Sequence, residues 1–297
     1  MASEKLKINS RPNLKGGRLL LAFSGWMDGG DVSTGTVNRL VEDLNAVPVA
    51  EIDPEQFYIY NFPGDMETVA LFRPHIHIED GLVKKVEMPS SVFYASEARN
   101  LALFVGREPD LNWTLFGSCV FDFAVEMGIE SIFFVGSFAG AVPHTREPRL
   151  HVSVSDPRLK TDLQKYGLRP TNYEGPGSFM TYLTSQAPKR GVEMANIVAE
   201  IPAYIKGTNP LSIEAVTRHV AAILGLEVDL SALRGRSNDW QQRVNEVVKE
   251  DPEMATQVRE LEKQYDDDLV DAGVDVGLLG IDLLDNDPTR GTDDDAT

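Results

Sequence analysis

The sequence of 297 residues contains a single cysteine, Cys119. One cysteine excludes a disulfide within the chain and a metal site built from several thiolates. Long apolar runs are also missing, since none approaches the roughly 20 residues that a helix needs to cross a bilayer. Residues 1–10 are charged and lack the apolar stretch of a secretory signal. We therefore expect a cytoplasmic protein with no membrane segment.

Basic residues are few, with 28 lysines and arginines against 46 aspartates and glutamates, and the formal net charge is −18. Binding to nucleic acid or to an anionic membrane needs a basic surface, so we expect neither kind of partner. Part of the acidity lies in residues 269–297, which are rich in aspartate and glycine. This composition predicts a mostly disordered acidic tail.

The most informative stretch runs from Ser131 to Arg146. Within it, the apolar run Ile132–Val135 predicts a strand that is covered on both faces, as in a parallel sheet. The small residues 136–141 predict a glycine-rich loop at the end of that strand, and ligands of open α/β sheets bind in such loops. His144 and Arg146 follow at the tip of this loop, which we expect to lie outside the core.

Similar apolar runs predict strands at residues 18–23, 57–61, 101–105 and 195–201, and amphipathic helices lie between several of them. This alternation predicts an α/β fold with a doubly wound sheet. The first run leads into Ser24–Asp31, which lacks the spacing of a phosphate-binding loop. Asp28 and Asp31 would repel a bare phosphate there, so a hydroxyl, an amine or a metal-bridged group fits better. Alternatively, the glycines only form a tight turn before a helix that Asp31 or Ser33 caps.

Two further segments do not follow this alternation of buried strands and helices. Asp80-Gly81 lies between two alternating stretches and predicts a β-hairpin over about 74–88. Its first strand carries histidines and a glutamate on one face, which could hold zinc only with a ligand from elsewhere; we favour a solvated or subunit-contacting face and expect no metal. Residues 229–268 predict two amphipathic helices that are too short to fold alone and must pack on the core.

Polar side chains follow several of the predicted strands, and we expect them to converge at one edge of the sheet. His144 is the candidate general acid or base because the pKa of an ordinary histidine lies near neutrality; alternatively, it only caps a carbonyl. Arg146 or Arg107 would hold an anionic group. No GxSxG motif and no cofactor-binding motif is present. The candidate ligand-binding residues are Trp26, Asp28, Asp31, Arg107, Glu108, Arg146, Tyr173 and Glu174.

Four sequence words occur in one order: FSGWMDGGD at 23–31, GREPDLNW at 106–113, GAVPHTR at 140–146 and YEGPGSF at 173–179. With these words the chain resembles the PAC2 family (proteasome assembly chaperone 2-like), in its bacterial, mainly actinobacterial, branch. The resemblance implies a three-layer α/β/α sandwich like that of the purine nucleoside phosphorylases, in a homotrimer. It also implies a core over 1–228 with the hairpin as an insertion, and a helical lid over 229–268.

The resemblance implies an oligomeric protein-assembly or scaffolding factor. Eukaryotic and archaeal relatives bind proteasome α-subunits through a C-terminal motif of a hydrophobic residue, a tyrosine and one further residue. This chain ends in Asp293-Asp-Asp-Ala-Thr297, so we expect a different docking mode for any proteasome-related partner. The alternative is a small-ligand-binding protein, or a hydrolase- or nucleosidase-like enzyme that uses general acid/base chemistry in a cleft at the strand ends. Whether the protein is an enzyme is left open by the sequence.

Overall fold

A computed structural model describes residues 4–271. The tail predicted from residue 269 onward therefore lies almost wholly outside the described residues. The described residues form eleven strands: β1 (Leu6–Ile8), β2 (Gly17–Ser24), β3 (Val47–Ile52), β4 (His75–Glu79), β5 (Leu82–Glu87), β6 (Ser91–Ser96), β7 (Leu101–Arg107), β8 (Ile129–Gly140), β9 (Arg149–Val154), β10 (Arg169–Pro170) and β11 (Glu193–Pro202). The α-helices are α1 (Val32–Asp43), α2 (Met66–Ala70), α3 (Trp113–Met127), α4 (Pro157–Gln164), α5 (Phe179–Gln186), α6 (Pro210–Leu224), α7 (Ser231–Glu250) and α8 (Pro252–Asp271). None of these described helices is long and apolar enough to span a membrane.

Nine of the strands form one mixed sheet in the order β1-β3-β6-β7-β2-β8-β11-β9-β10. Its centre is parallel, because β2 pairs in parallel with β7 and β8, and β8 pairs in parallel with β11. Antiparallel pairs extend the sheet on both sides, through β6 and β3 at one edge and β9 at the other. The sequence predicted the parallel centre but not these antiparallel flanks.

Alternate side chains of β2 enter two separate apolar cores. Leu19, Leu21 and Phe23 pack in one cluster with the inner faces of α3 and α5. Leu20 and Ala22 pack in the other cluster, with α1 and α6. Because successive side chains of a strand point to opposite faces, a strand between two helical layers must be apolar throughout. The prediction of an α/β fold, with helices on both faces of the sheet, is confirmed.

Residues 136–140 form the end of β8 and not the glycine-rich loop that the sequence predicted. The small residues serve packing within the sheet. A Cβ atom on Gly136 would lie 2.6 Å from the ring of Phe134, and one on Gly140 would lie 2.4 Å from Glu200. Both glycines therefore make room for a large neighbouring side chain, and the loop begins only at Ala141.

The strand predicted at 57–61 is also wrong. Phe57 and Tyr58 are buried, but Phe57 ends a turn and Tyr58 lies in irregular backbone. The strand in this region is β3, which was not predicted from the sequence and which contains Pro48. Proline lacks the amide donor that a central strand needs, and it is tolerated where the ladder is irregular. The pairing of β3 with β6 shifts register between Pro48 and Ala50, which is where the proline lies.

The strands β4 and β5 form the hairpin expected from Asp80-Gly81, with both turn residues at positive φ. The register shifts between His77 and Ile78. In the part of the chain that the structure describes, no group of three or more potential ligands, such as His75 with His77 and Glu79, could hold a metal ion.

The two C-terminal helices pack on the α/β unit, as the sequence predicted for amphipathic helices of this length. Leu233 of α7 joins the apolar cluster of α1 and α6. Tyr265 and Leu269 of α8 pack on Val142, in the loop that follows β8. The pair therefore covers this loop.

Candidate functional site

A cavity of about 330 Å³ lies between the sheet and the loop that precedes α5. Strands β8, β9 and β11 supply its inner wall, including Phe134, Phe138 and Asn196. Trp26, from the loop after β2, and Tyr173 also line it, although they are 70% and 69% exposed. These two aromatic side chains therefore form the open side of the cavity. A concave apolar site with a few polar groups, near the ends of parallel strands, is where small molecules bind in α/β proteins.

The carboxylate of Glu108 holds two walls of this cavity together. One of its oxygens, Oε2, accepts a hydrogen bond of 3.1 Å from the backbone amide of Trp26. The other, Oε1, accepts one of 3.0 Å from the amide of Phe179, the first residue of α5. An amide at a helix start has no partner within the helix, so this bond satisfies it. Glu108 was predicted to bind a ligand, but it is not among the residues that line the cavity, and its carboxylate instead positions Trp26.

Asp28 is tied to the start of α1. Its Oδ1 accepts from the backbone amide of Thr34 at 3.1 Å, and its Oδ2 accepts from the Thr34 hydroxyl at 2.7 Å. Burial raises the pKa of Asp28 to about 6, and it outweighs these two hydrogen bonds, which lower the pKa. Folding therefore places a carboxyl group that titrates near neutrality beside the cavity loop.

Neither predicted cap of α1 acts as one. Asp31 occupies the cap position but has a left-handed backbone, with φ 55°, and its side chain makes no capping bond. Its carboxylate instead accepts from the Thr208 hydroxyl. The hydroxyl of Ser33 donates to the carbonyl of Val135 and is therefore used to join α1 to the sheet.

His144 is fully buried, which contradicts the expectation that it lies at an exposed loop tip. Its Nδ1 lies 2.7 Å from the hydroxyl of Tyr204, and its Nε2 lies 2.9 Å from Oδ1 of Asn245 in α7. Gln241 of α7 donates a hydrogen bond to the His144 carbonyl. Burial lowers the pKa of His144. The ring is thus a buried link between the loop after β8 and α7, and it does not line the cavity.

Arg146 is likewise engaged with the C-terminal helices. Its guanidinium makes a two-point pair with Asp266 of α8, with N–O distances of 2.9 and 2.8 Å. The hydrogen bonds to Asp266 raise its pKa further. Nearby, Thr145 donates to Glu262, and Arg149 pairs with Asp268 at 2.7 Å. The positive charges of this loop and strand are thus neutralised by α8.

The remaining predicted residues are dispersed. Arg107 lies 5.4 Å from the centre of the Tyr58 ring and pairs with Asp110 at 3.6 Å, away from the cavity. Glu174 is exposed and is not part of the cavity wall. Of the predicted residues, the structure brings only Trp26 and Tyr173 to the cavity. Sequence reasoning missed Asn196, although it was the one amide in the apolar run 195–201.

Comparison with known proteins identifies the family. The PAC2 family model matches residues 22–248, so the chain belongs to the PAC2 family. A crystal structure of a proteasome-assembly chaperone homologue from Mycobacterium tuberculosis is 26% identical, with a TM-score of 0.71 over 81% of this chain and 99% of that chain. A PAC2 family protein from Streptomyces avermitilis is 25% identical, with a TM-score of 0.69 over 82% of this chain and 99% of that chain.

An archaeal proteasome activator from Pyrococcus furiosus shares the fold at 19% identity, with a TM-score of 0.60 over 83% of this chain and 99% of that chain. No curated protein matches the chain.

The first prediction concerns the ionisation of Asp28. An acid whose pKa is higher in the folded protein than in the unfolded chain costs stability once the pH exceeds the unfolded value, here 3.8, and the cost is complete above the folded value of about 6. We expect Asp28→Asn, which does not ionise, to be about 1–3 kcal/mol more stable than the natural chain at pH 8. Urea denaturation at pH 4 and pH 8 measures the difference, which should shrink at the lower pH.

Asp65→Asn is the matched control. Its pKa is lowered by hydrogen bonds from Thr68, so the variant should lose stability relative to the natural chain as the pH rises. If the difference in the free energy of unfolding between Asp28→Asn and the natural chain were the same at both pH values, the pKa of Asp28 would not be raised by folding.

The second prediction concerns the link between His144 and α7. We expect His144→Ala to lower the free energy of unfolding by about 2–4 kcal/mol, because it leaves a small void and removes the partner of Tyr204 and Asn245. Limited proteolysis should cleave the α7–α8 segment faster in this variant. His77→Ala, on the exposed hairpin, is the control and should change neither readout. Unchanged stability in His144→Ala would mean that the buried hydrogen bonds contribute nothing.

Proposed function

We propose that this PAC2 family protein is an oligomeric assembly or scaffolding factor that acts by contacting other proteins. The observation that carries the proposal is an apolar face on the hairpin. Four of its side chains form cross-strand pairs, Ile76 with Val86 and Ile78 with Val83, and all four are more than half exposed. We call these four side chains the hairpin patch. Contiguous exposed apolar surface of this kind marks a protein interface.

The geometry of the hairpin explains why this face needs a partner. Paired residues of antiparallel strands point to the same side, so the four side chains form one continuous surface. A lone two-stranded ribbon is only marginally stable in water, and β4 and β5 pair only with each other among the described strands. We infer that the hairpin patch packs against another copy of this chain, in a homotrimer.

The proteasome link rests on similarity. The Mycobacterium tuberculosis relative is named a proteasome-assembly chaperone homologue, and this chain covers 99% of its length. We therefore propose proteasome-related proteins as the clients, in the cytoplasm. We also infer that the sheet and its two helical layers correspond to the phosphorylase-type sandwich, now used as a scaffold. The buried His144 and the paired Arg146 supply no acid, base or anion site in support of an enzyme.

The oligomer is tested with a charge in the hairpin patch. We expect native mass spectrometry to show a trimer for the natural chain and mainly monomer for Val83→Asp, because the new carboxylate would be buried without a partner. Val125→Asp is the matched control, since Val125 on α3 is 64% exposed and Val83 is 62% exposed. The control should stay trimeric. A trimeric Val83→Asp variant, or a monomeric natural chain, would contradict the role of the hairpin patch.

The client class is tested separately with purified actinobacterial proteasome subunits. We expect the natural chain to raise the rate at which α- and β-subunits form the complete particle at least twofold, measured on native gels. Val83→Asp should have a weaker effect, and Val125→Asp should act like the natural chain. Equal rates with and without the natural chain would contradict a proteasome client while leaving the trimer intact.

A further inference from the structure

We propose that the cavity beside Trp26 binds a small, uncharged aromatic heterocycle that carries an N–H group next to a carbonyl. This site is separate from the hairpin patch, since no residue of β4 or β5 lines the cavity. The proposal therefore goes beyond the assembly function.

The electrostatics of the wall favour an uncharged ligand. Among the described residues that line the cavity there is no aspartate, glutamate, lysine or arginine. The nearby carboxylates are engaged elsewhere, since Glu108 accepts from two backbone amides. Glu200 accepts from the amide of Ala141, and its other oxygen lies 3.4 Å from Nε2 of His151, on the cavity wall, and 3.8 Å from Arg149. A charged ligand would thus lose its hydration without finding a charge that is not already paired.

The shape of the wall favours a flat ring. Trp26 and Tyr173 are on the open side, and Phe134 and Phe138 lie on the sheet side. Aromatic side chains bind other rings by stacking and edge contacts. The volume of about 330 Å³ is at the small end of ligand pockets and suits a ligand of one or two fused rings.

The polar groups define the edge of the ligand, and Asn196 is the central one. It is only 3% exposed, and its Nδ2 donates to Ser153 Oγ at 3.1 Å and to Thr184 Oγ1 at 2.9 Å. The Thr184 hydroxyl donates to the carbonyl of Met180, so it must accept from Asn196. This fixes which end of the amide is the donor.

The fixed amide leaves one unused acceptor and one unused donor. Oδ1 of Asn196 is buried and has no hydrogen-bond partner among the described residues. Of the four such atoms, it is the one whose residue lines the cavity. The Ser153 hydroxyl accepts from Asn196, and no described hydrogen bond uses it as a donor. Buried polar groups are seldom left unpaired. A ligand with an N–H beside a carbonyl would pair with both, since its N–H would donate to Oδ1 of Asn196 and its carbonyl would accept from the Ser153 hydroxyl.

The test uses quinolin-2-one as the probe, because its lactam edge offers this donor and acceptor on a flat bicyclic ring. N-methylquinolin-2-one is the matched probe without the N–H. Isothermal titration calorimetry of the full chain should show one-to-one binding of quinolin-2-one. The methylated probe should bind at least about tenfold more weakly.

Two rim variants locate the site. Trp26→Ala and Tyr173→Ala change exposed side chains, so both should fold, which circular dichroism verifies. We expect each to weaken binding of quinolin-2-one about tenfold. Tyr166→Ala removes an exposed tyrosine outside the cavity and is the control. In Asn196→Leu, if it folds, the two probes should bind equally.

Each outcome decides the proposal. Weaker binding in both rim variants together with discrimination between the two probes supports it. Equal binding of both probes to the natural chain overturns the ligand class. Absence of binding, or binding that the rim variants leave unchanged, overturns the site.

Discussion

All ten residues of β11 pair in parallel with β8, and this long pairing is the constraint on which the other features depend. It holds only because Gly136 and Gly140 leave space for the ring of Phe134 and the carboxylate chain of Glu200. Strand β8 supplies part of the sheet wall of the cavity, and the loop that α7 and α8 cover follows its end. A larger side chain at either glycine would displace a neighbour that the wall or the loop requires.

The C-terminal helices α7 and α8 show where some of the many acidic side chains are used. Arg146 and Arg149 approach α8, where Asp266 and Asp268 neutralise them, and Glu262 accepts from Thr145. Partly buried two-point pairs of arginine with carboxylate are directional as well as charged. The arginine side chains that the sequence suggests as an open anion site thus hold the C-terminal helix pair on the α/β unit. His144 belongs to the same contact, through Tyr204 and Asn245.

The sequence was sufficient for the α/β class, the parallel centre, the hairpin and the amphipathic helices, because apolar periodicity and turn chemistry are local signals. It failed where the deciding contact is distant in the chain. Small residues at 136–140 resemble a loop unless the side chain of Glu200, on β11, is known to lie over Gly140. The strand β3 was not predicted, and its pairing with β6 shifts register beside Pro48. His144 resembled a catalytic loop residue because its partner Asn245 lies about a hundred residues away.

The end of β7 connects the two surfaces that carry the proposals. Glu108 binds the amides of Trp26 and Phe179 and so sets the opening of the cavity. Its neighbour Arg107 lies 6.0 Å from the ring of Phe72, in the segment that leads into the hairpin. A ligand seated between Trp26 and Tyr173 would touch the loop that Glu108 already holds. Because Arg107 is the last residue of β7 and Glu108 follows it directly, the end of one central strand contacts both the cavity loop and the segment before the hairpin.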